Sequence, residues 1–139
     1  SLPGIGFGYN AYGAYASVNH QHLQMFMRSQ GQYPIEAAHW QHNGGDESYP
    51  ATCQRLENVE QAWQQIHTLH EQNQPYNLIY RPGCLYLIAR PFQGSYQHAA
   101  WTSGFAWGEL AGSMVTFNAD DFSSLDNKAI CDEMALLRV

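Results

Sequence analysis

The order of elements along this chain predicts an α+β fold, an antiparallel sheet with helices packed on one side. Three observations carry that reading. A Gly- and aromatic-rich opening runs into an alternating segment at residues 16–28. Apolar residues then recur every three or four positions from Leu56. Two β-prone runs finally flank Pro82-Gly83 as a hairpin. The resulting sequence of strand, helix, hairpin, strand and helix suits an antiparallel sheet better than a parallel one.

Each element has its own signal. Gly4, Gly6, Gly8 and Gly13, set among Ile5, Phe7, Tyr9, Tyr12 and Tyr15, read as a loop able to approach a ligand closely. Residues 16–28 read as a strand. Alternation puts Val18, His20, His22 and Gln24 on one face and Asn19, Gln21, Leu23 and Met25 on the other. Residues 37–54, centred on Gly44-Gly45-Asp46-Glu47, read as an exposed polar loop. Leu56, Val59, Trp63, Ile66 and Leu69 form an amphipathic stripe over roughly Leu56–Asn73. Asn58 and Gln61 resemble a capping box, which sets the start slightly later, and Gln74-Pro75 ends the helix. Residues 76–81 and 84–90 are the hairpin strands, 92–104 an irregular connection, and 112–117 a further short strand. Asp120, Asp121, Ser123 or Asp126 opens a final helix through Leu137.

Length and composition bound the function. The 139 residues amount to about one domain, and 45% apolar content with 14% aromatics is enough for one core. A formal charge of −6 with six Lys and Arg excludes a basic nucleic-acid surface. A small phosphorylated ligand stays open, because backbone N–H groups and neutral side chains also hold phosphate. Cys53, Cys84 and Cys131 are odd in number and widely spaced. They argue against a disulfide framework or a cysteine zinc site and suit a reducing cytoplasm. No apolar run reaches membrane-spanning length, and no basic segment leads into an apolar stretch at the start.

The chemistry concentrates in Ser17-Val-Asn-His20-Gln-His22-Leu-Gln24. On a strand, His20, His22 and Gln24 would stand in a row about 7 Å apart. A neutral imidazole attacks an α-phosphate well and divides one hard displacement into two easier ones, provided its second nitrogen is held in the right tautomer. Gln24 offers donors to a phosphate oxygen without adding charge. Ser17 is close enough to reach the same phosphate, and Gly13 lets the backbone come near. An H-x-H pair alone is equally consistent with half-buried polar residues or with zinc ligands. The longer S-x-x-H-x-H-x-Q string following a Gly-rich loop is more specific.

That string resembles the galactose-1-phosphate uridylyltransferase branch of the histidine-triad superfamily. The resemblance implies a HIT-like fold. It also implies a catalytic trio in which His22 takes the nucleotidyl group as a covalent phosphoramidate, His20 supports and orients it, and Gln24 with Ser17 holds phosphate oxygens. Gly8-Tyr-Asn10, Ala14-Tyr-Ala-Ser-Val-Asn19-His20, Tyr33-Pro-Ile-Glu36, Tyr76-Asn-Leu-Ile-Tyr80, Leu85-Tyr-Leu-Ile-Ala-Arg-Pro91 and Ala106-Trp-Gly-Glu109 are similar to dinucleoside polyphosphate phosphorylases and to GDP-L-galactose and GDP-D-glucose phosphorylases. Asn10, Gly13 and Asn19 in these strings join Ser17 as candidate phosphate or substrate contacts. The implied function is a nucleotidyltransferase or phosphorylase acting on a nucleoside diphosphate sugar or dinucleoside polyphosphate, with phosphate or a sugar phosphate as acceptor. It requires no cofactor. In such families the motif lies near mid-chain, so residues 1–139 are expected to be a single HIT-like domain that forms the C-terminal part of a two-half protein. The motif strand would then lie at an open edge, and a homodimer could complete it.

Two alternatives come from other classes: a non-catalytic nucleotide-binding or dimerisation module of the same fold, and a metal-dependent phosphohydrolase. His39 with His42 and His67 with His70 leave a structural zinc conceivable. Arg28, Arg81 and Arg90 read first as surface charges paired with acids and second as phosphate contacts, and Glu36 first as an ion-pair partner and second as an acceptor for a hexose hydroxyl. Trp40, Trp101 and Trp107 read as core or interface anchors.

Overall fold

The computed structural model describes residues 4–28 and 31–139. Five strands form one antiparallel sheet: β1 (Ile5–Asn10), β2 (Gln24–Met27), β3 (Cys53–Leu56), β4 (Tyr76–Arg81) and β5 (Cys84–Ala89), in the order β2-β1-β4-β5-β3. The helices are α1 (Val59–Glu71), α2 (Trp107–Ala111), α3 (Ala119–Ser124) and α4 (Asn127–Ala135), with short 3-10 turns at Pro34–Glu36 and Gln41–Asn43. An α+β class with an antiparallel sheet is therefore correct. Among the described residues, no helix is long and apolar enough to cross a membrane.

The helices, however, pack on both sides of the sheet, not on one. β4 and β5 are buried along nearly their whole length, and alternate residues feed two cores. Ile79, Tyr86 and Ile88 meet Ile35, Tyr49, Phe105, Leu110, Met134 and Leu137 on one face. Tyr76, Leu78, Leu85 and Leu87 meet Ala62, Ile66 and Leu69 of α1 on the other. The apolar runs Leu78-Ile79 and Leu85–Ala89 carry this information, because a strand covered on one face only would alternate with polar residues.

The Gly-rich opening is a strand, not a loop. Gly6 and Gly8 face the side where Phe26 and Trp107 lie, and a Cβ at either position would fall inside those rings. Phe7 and Tyr9 point to the opposite face. The strand expected over residues 16–28 shrinks to β2, whose pairing with β1 ends at Gly8↔Gln24. Beyond Asn10 the chain turns away through Gly13 and Tyr15, at φ +77° and +64°. Residues 17–23 thus have no neighbouring strand to satisfy their backbone, and they bend instead. As expected of the motif strand, β2 stands at an edge of the sheet.

Downstream, the hairpin turns at Pro82-Gly83 as its sequence indicates, with Gly83 at φ +85°. Helix α1 starts after Asn58, whose Oδ1 accepts the Gln61 N–H at 3.0 Å. Its stripe is only partly used: Ile66 and Leu69 pack against the sheet, whereas Val59 and Trp63 remain exposed. Residues 37–54 are not a free loop. The Trp40↔Glu47 bridge closes them, Tyr49 and Ala51 are buried, and β3 begins at Cys53. Tyr49 Oη donates to the Leu110 carbonyl at 2.6 Å, which anchors the segment in the core. Residues 112–117 form no strand. Gly112, at φ +103°, ends α2, and Val115 and Phe117 stay exposed without a partner strand. The final helix is two helices, capped by Asn118 and Asp126, because Leu125 between them is extended.

Arg81 and Arg90 also depart from the surface reading. Arg81 Nε donates to Glu36 Oε1 at 2.8 Å with both side chains 9% exposed, and Glu36 Oε2 accepts the Tyr33 N–H at 2.8 Å. Arg90 is fully buried and, among the described residues, has no carboxylate partner. Its guanidinium, with donors and no acceptors, bonds the Phe105 and Pro91 carbonyls and Tyr96 Oη, and lies over the Tyr15 ring at 5.0 Å.

His42 supplies a pH-dependent element of this packing. Its Nε2–H donates to the Ile35 carbonyl at 2.8 Å, and Tyr49 and Tyr86 enclose the ring edge-on. Burial, aided by the positive charge of Arg55, holds its pKa below the ordinary 6.5 despite that hydrogen bond. The unfolded chain therefore binds a proton near pH 6.5 that the fold resists. Stability from this group is present above that pH and declines as the pH falls through it toward the folded value. His42→Gln, which keeps a donor near the Nε2 position and cannot titrate, should flatten the dependence of the melting temperature on pH between 7 and 5.

Candidate active site

The loop that leaves β1 and returns to β2 walls an open cavity of about 680 Å³. Its lining includes Tyr9 and Asn10 at the end of β1, Tyr12, Gly13, Ser17, Asn19 and His20 from that loop, and Phe92 and Gln93 from across the way. The volume suits a nucleotide-sized ligand. No acidic, lysine or arginine side chain is in the lining, so an anion entering it would meet neutral donors and an imidazole.

The structure brings together five of the seven residues singled out from sequence: Asn10, Gly13, Ser17, Asn19 and His20. The other two lie outside the lining. His22 is half-buried with its ring centroid 6.0 Å from that of His20. Gln24, on β2, accepts a hydrogen bond from the Trp107 indole. The common strand face expected for His20, His22 and Gln24 does not form, because the two histidines precede β2 on the bent segment. Among the described residues no hydrogen bond holds either imidazole.

Two of the five have structural work as well. Gly13 is needed for its positive φ and because the Phe92 ring occupies the space a side chain would take; its carbonyl also accepts the Gln93 N–H at 2.7 Å. Asn10 Oδ1 accepts from Asn77 Nδ2 at 2.7 Å and from the Trp107 N–H at 3.0 Å, and Asn10 Nδ2 reaches the Tyr15 carbonyl at 3.4 Å. Asn77, fully buried on β4, donates further to the Ala14 carbonyl at 3.0 Å. One asparagine pair thus fixes the start of the loop to the central strand and to α2.

Sequence reasoning missed Phe92, Gln93 and the role of Trp107. Gln93 Oε1 accepts the Tyr15 N–H at 2.5 Å, clamping the loop from a segment that shows no pattern of its own. Trp107 stacks on Phe26 with centroids 5.0 Å apart and planes 18° from parallel. The only sequence signal for it was the alternation of Gly6 and Gly8, which leaves a flat shelf on β1. The two H-x-x-H pairs are engaged separately: His42 with Ile35, His67 with Glu71 at 3.4 Å, and His70 with Tyr76 Oη at 2.7 Å. Among the described residues, no three His, Cys, Asp or Glu gather where they could hold a metal.

No family model, curated protein or solved structure matches this chain.

Gly8→Ala probes the shelf. The added methyl would fall within the Trp107 indole, and overpacking of this kind costs about 1–3 kcal/mol. The expected outcome is a lower melting temperature with a changed near-ultraviolet circular dichroism signal from the displaced indole. An unaltered spectrum would show that the shelf accommodates a side chain.

Proposed function

We propose that this chain carries the catalytic segment of a nucleotidyltransferase or phosphorylase of HIT-like fold, working through a covalent nucleotidyl-His22 intermediate. The observation that carries the reading is the cavity beside the His20–His22 pair, lined by neutral donors that include Ser17 and Asn19. The specific S-x-x-H-x-H-x-Q string supplies the chemical direction.

In the first step the unprotonated nitrogen of His22 attacks the α-phosphorus of a nucleoside diphosphate sugar or dinucleoside polyphosphate. A P–N bond forms, the P–O bond to the leaving group breaks, and the sugar phosphate or nucleotide departs with the electron pair. In the second step an oxygen of phosphate, or of a sugar phosphate, attacks the same phosphorus. The P–O bond forms, the P–N bond breaks, and the imidazole is restored. Ser17, Asn19 and Gln24 are assigned to the non-bridging oxygens, where neutral donors stabilise developing charge without trapping the phosphate. His20 is assigned to orienting His22 and to the nucleotide. Aromatic Tyr12 and Phe92, in edge contact at 6.3 Å on the rim, are suited to the base.

A second reading has one observation in its favour. Neither imidazole is held by a hydrogen bond from the described residues, which suits a module that binds nucleotides without turnover. Calorimetry separates the two, since tight nucleotide binding with no product formed would support the module.

The enzyme reading is checked by labelling. Protein incubated with an α-labelled nucleoside diphosphate sugar should acquire an acid-labile, base-stable adduct. His22→Ala should abolish that adduct and lower turnover by roughly a thousandfold or more. Label persisting in the variant would remove His22 from the role.

A further inference from the structure

Trp107 Nε1–H donates to Gln24 Oε1. An indole nitrogen is a donor only, so the atom facing it must be the amide oxygen. The usual ambiguity between oxygen and nitrogen in a glutamine is thereby resolved. The Gln24 NH2 group must then point away from the indole. Among the described residues it has no partner, and the Gln24 side chain is exposed.

The indole itself is held firmly. Phe26 stacks on it at 5.0 Å, Tyr33 meets it edge-on at 6.2 Å, and Gly8 lies beneath it. Its backbone N–H is bonded to Asn10 Oδ1 at 3.0 Å. A glutamine on an edge strand would otherwise rotate and present either amide end. With the oxygen outward it would repel a phosphate.

We propose that Trp107 is a positioning residue for phosphate binding. It locks the Gln24 amide so that only the NH2 donors face outward, toward a non-bridging phosphate oxygen. The proposal rests on the nucleotidyl-transfer reading for the identity of that oxygen. The orientation follows from donor chemistry alone. Fixing the amide in advance removes the entropy of ordering it and the wrong-end encounter, both of which weaken binding.

The test follows the Gln24 side-chain NH2 and Trp107 indole N–H resonances by nuclear magnetic resonance as inorganic pyrophosphate is added to the chain. In the wild type the Gln24 NH2 signal should shift with pyrophosphate. Trp107→Phe keeps an aromatic ring on Phe26 but has no N–H, and should weaken pyrophosphate binding about tenfold. Gln24→Glu keeps an acceptor for the indole but has no NH2, and should weaken binding by tenfold or more while the Trp107 signal persists. If Trp107→Phe fails to fold, Gln24→Glu carries the test. The double variant Trp107→Phe/Gln24→Ala should bind no worse than Gln24→Ala alone, because the tryptophan acts through the glutamine.

Absence of any Gln24 shift, wild-type affinity in Gln24→Glu, or additive losses in the double variant would each overturn the proposal. The two readings fail separately. Pyrophosphate bound through Gln24 with no nucleotidyl-His22 adduct sinks the transfer chemistry alone. An adduct formed at the wild-type rate by both single variants sinks the positioning role alone.

Discussion

Trp107 lies on the bare backbone of Gly8, and much of the site end of the molecule depends on that contact. Two glycines in alternate positions of β1 leave a shelf deep enough for the Phe26 ring over Gly6 and the indole over Gly8. The stacked rings tie the edge strand β2 to α2 across β1. From this single arrangement follow the orientation of Gln24 and the capture of the Trp107 N–H by Asn10. The path of the loop that carries Ser17, Asn19 and the histidines is linked to it through that asparagine. A side chain on β1 at Gly8 would push these groups apart together, because packed aromatic rings cannot yield by small amounts.

The asparagine pair extends the same logic inward. Asn77 is buried on a central strand, a costly place for an amide unless its donors are used. It uses them on Asn10 and on the Ala14 carbonyl, so the loop begins from a fixed point. Gln93 holds the far side of that loop at Tyr15, and the buried Arg90 supports Tyr15 from behind through its ring face. The candidate string is thereby suspended between fixed points while its own residues 17–23 remain irregular.

Much of the fold was legible because its signals are local. The hairpin at Pro82-Gly83 needs a turn that those two residues favour, and α1 needs a cap that Asn58 supplies within three residues. The burial of both sheet faces was misread as one-sided packing, although the unbroken apolar runs of β4 and β5 carry its signal. What escaped were short elements with no pattern of their own. β3 is four residues of mixed character that become a strand only because β5 offers an open edge. Residues 112–117 have strand-like composition but find no edge to join. The site divides in the same way: Ser17 and His20 could be named from their spacing and Asn19 from a resemblance, while Gln93 and Phe92 are brought to the cavity from a segment more than seventy positions away.

By itself the sequence determined the α+β class, the hairpin and the first helix, because each rests on chain-local periodicity, caps and turn chemistry, and it singled out the string Ser17–Gln24 as the candidate site. Only the tertiary structure decided where the motif strand stops. Strand pairing needs a partner, and β1 offers one to β2 only as far as Gln24. That limit places His20 and His22 on a bent segment beside a cavity, and leaves Gln24 alone on the strand, its amide turned by a tryptophan from elsewhere in the chain.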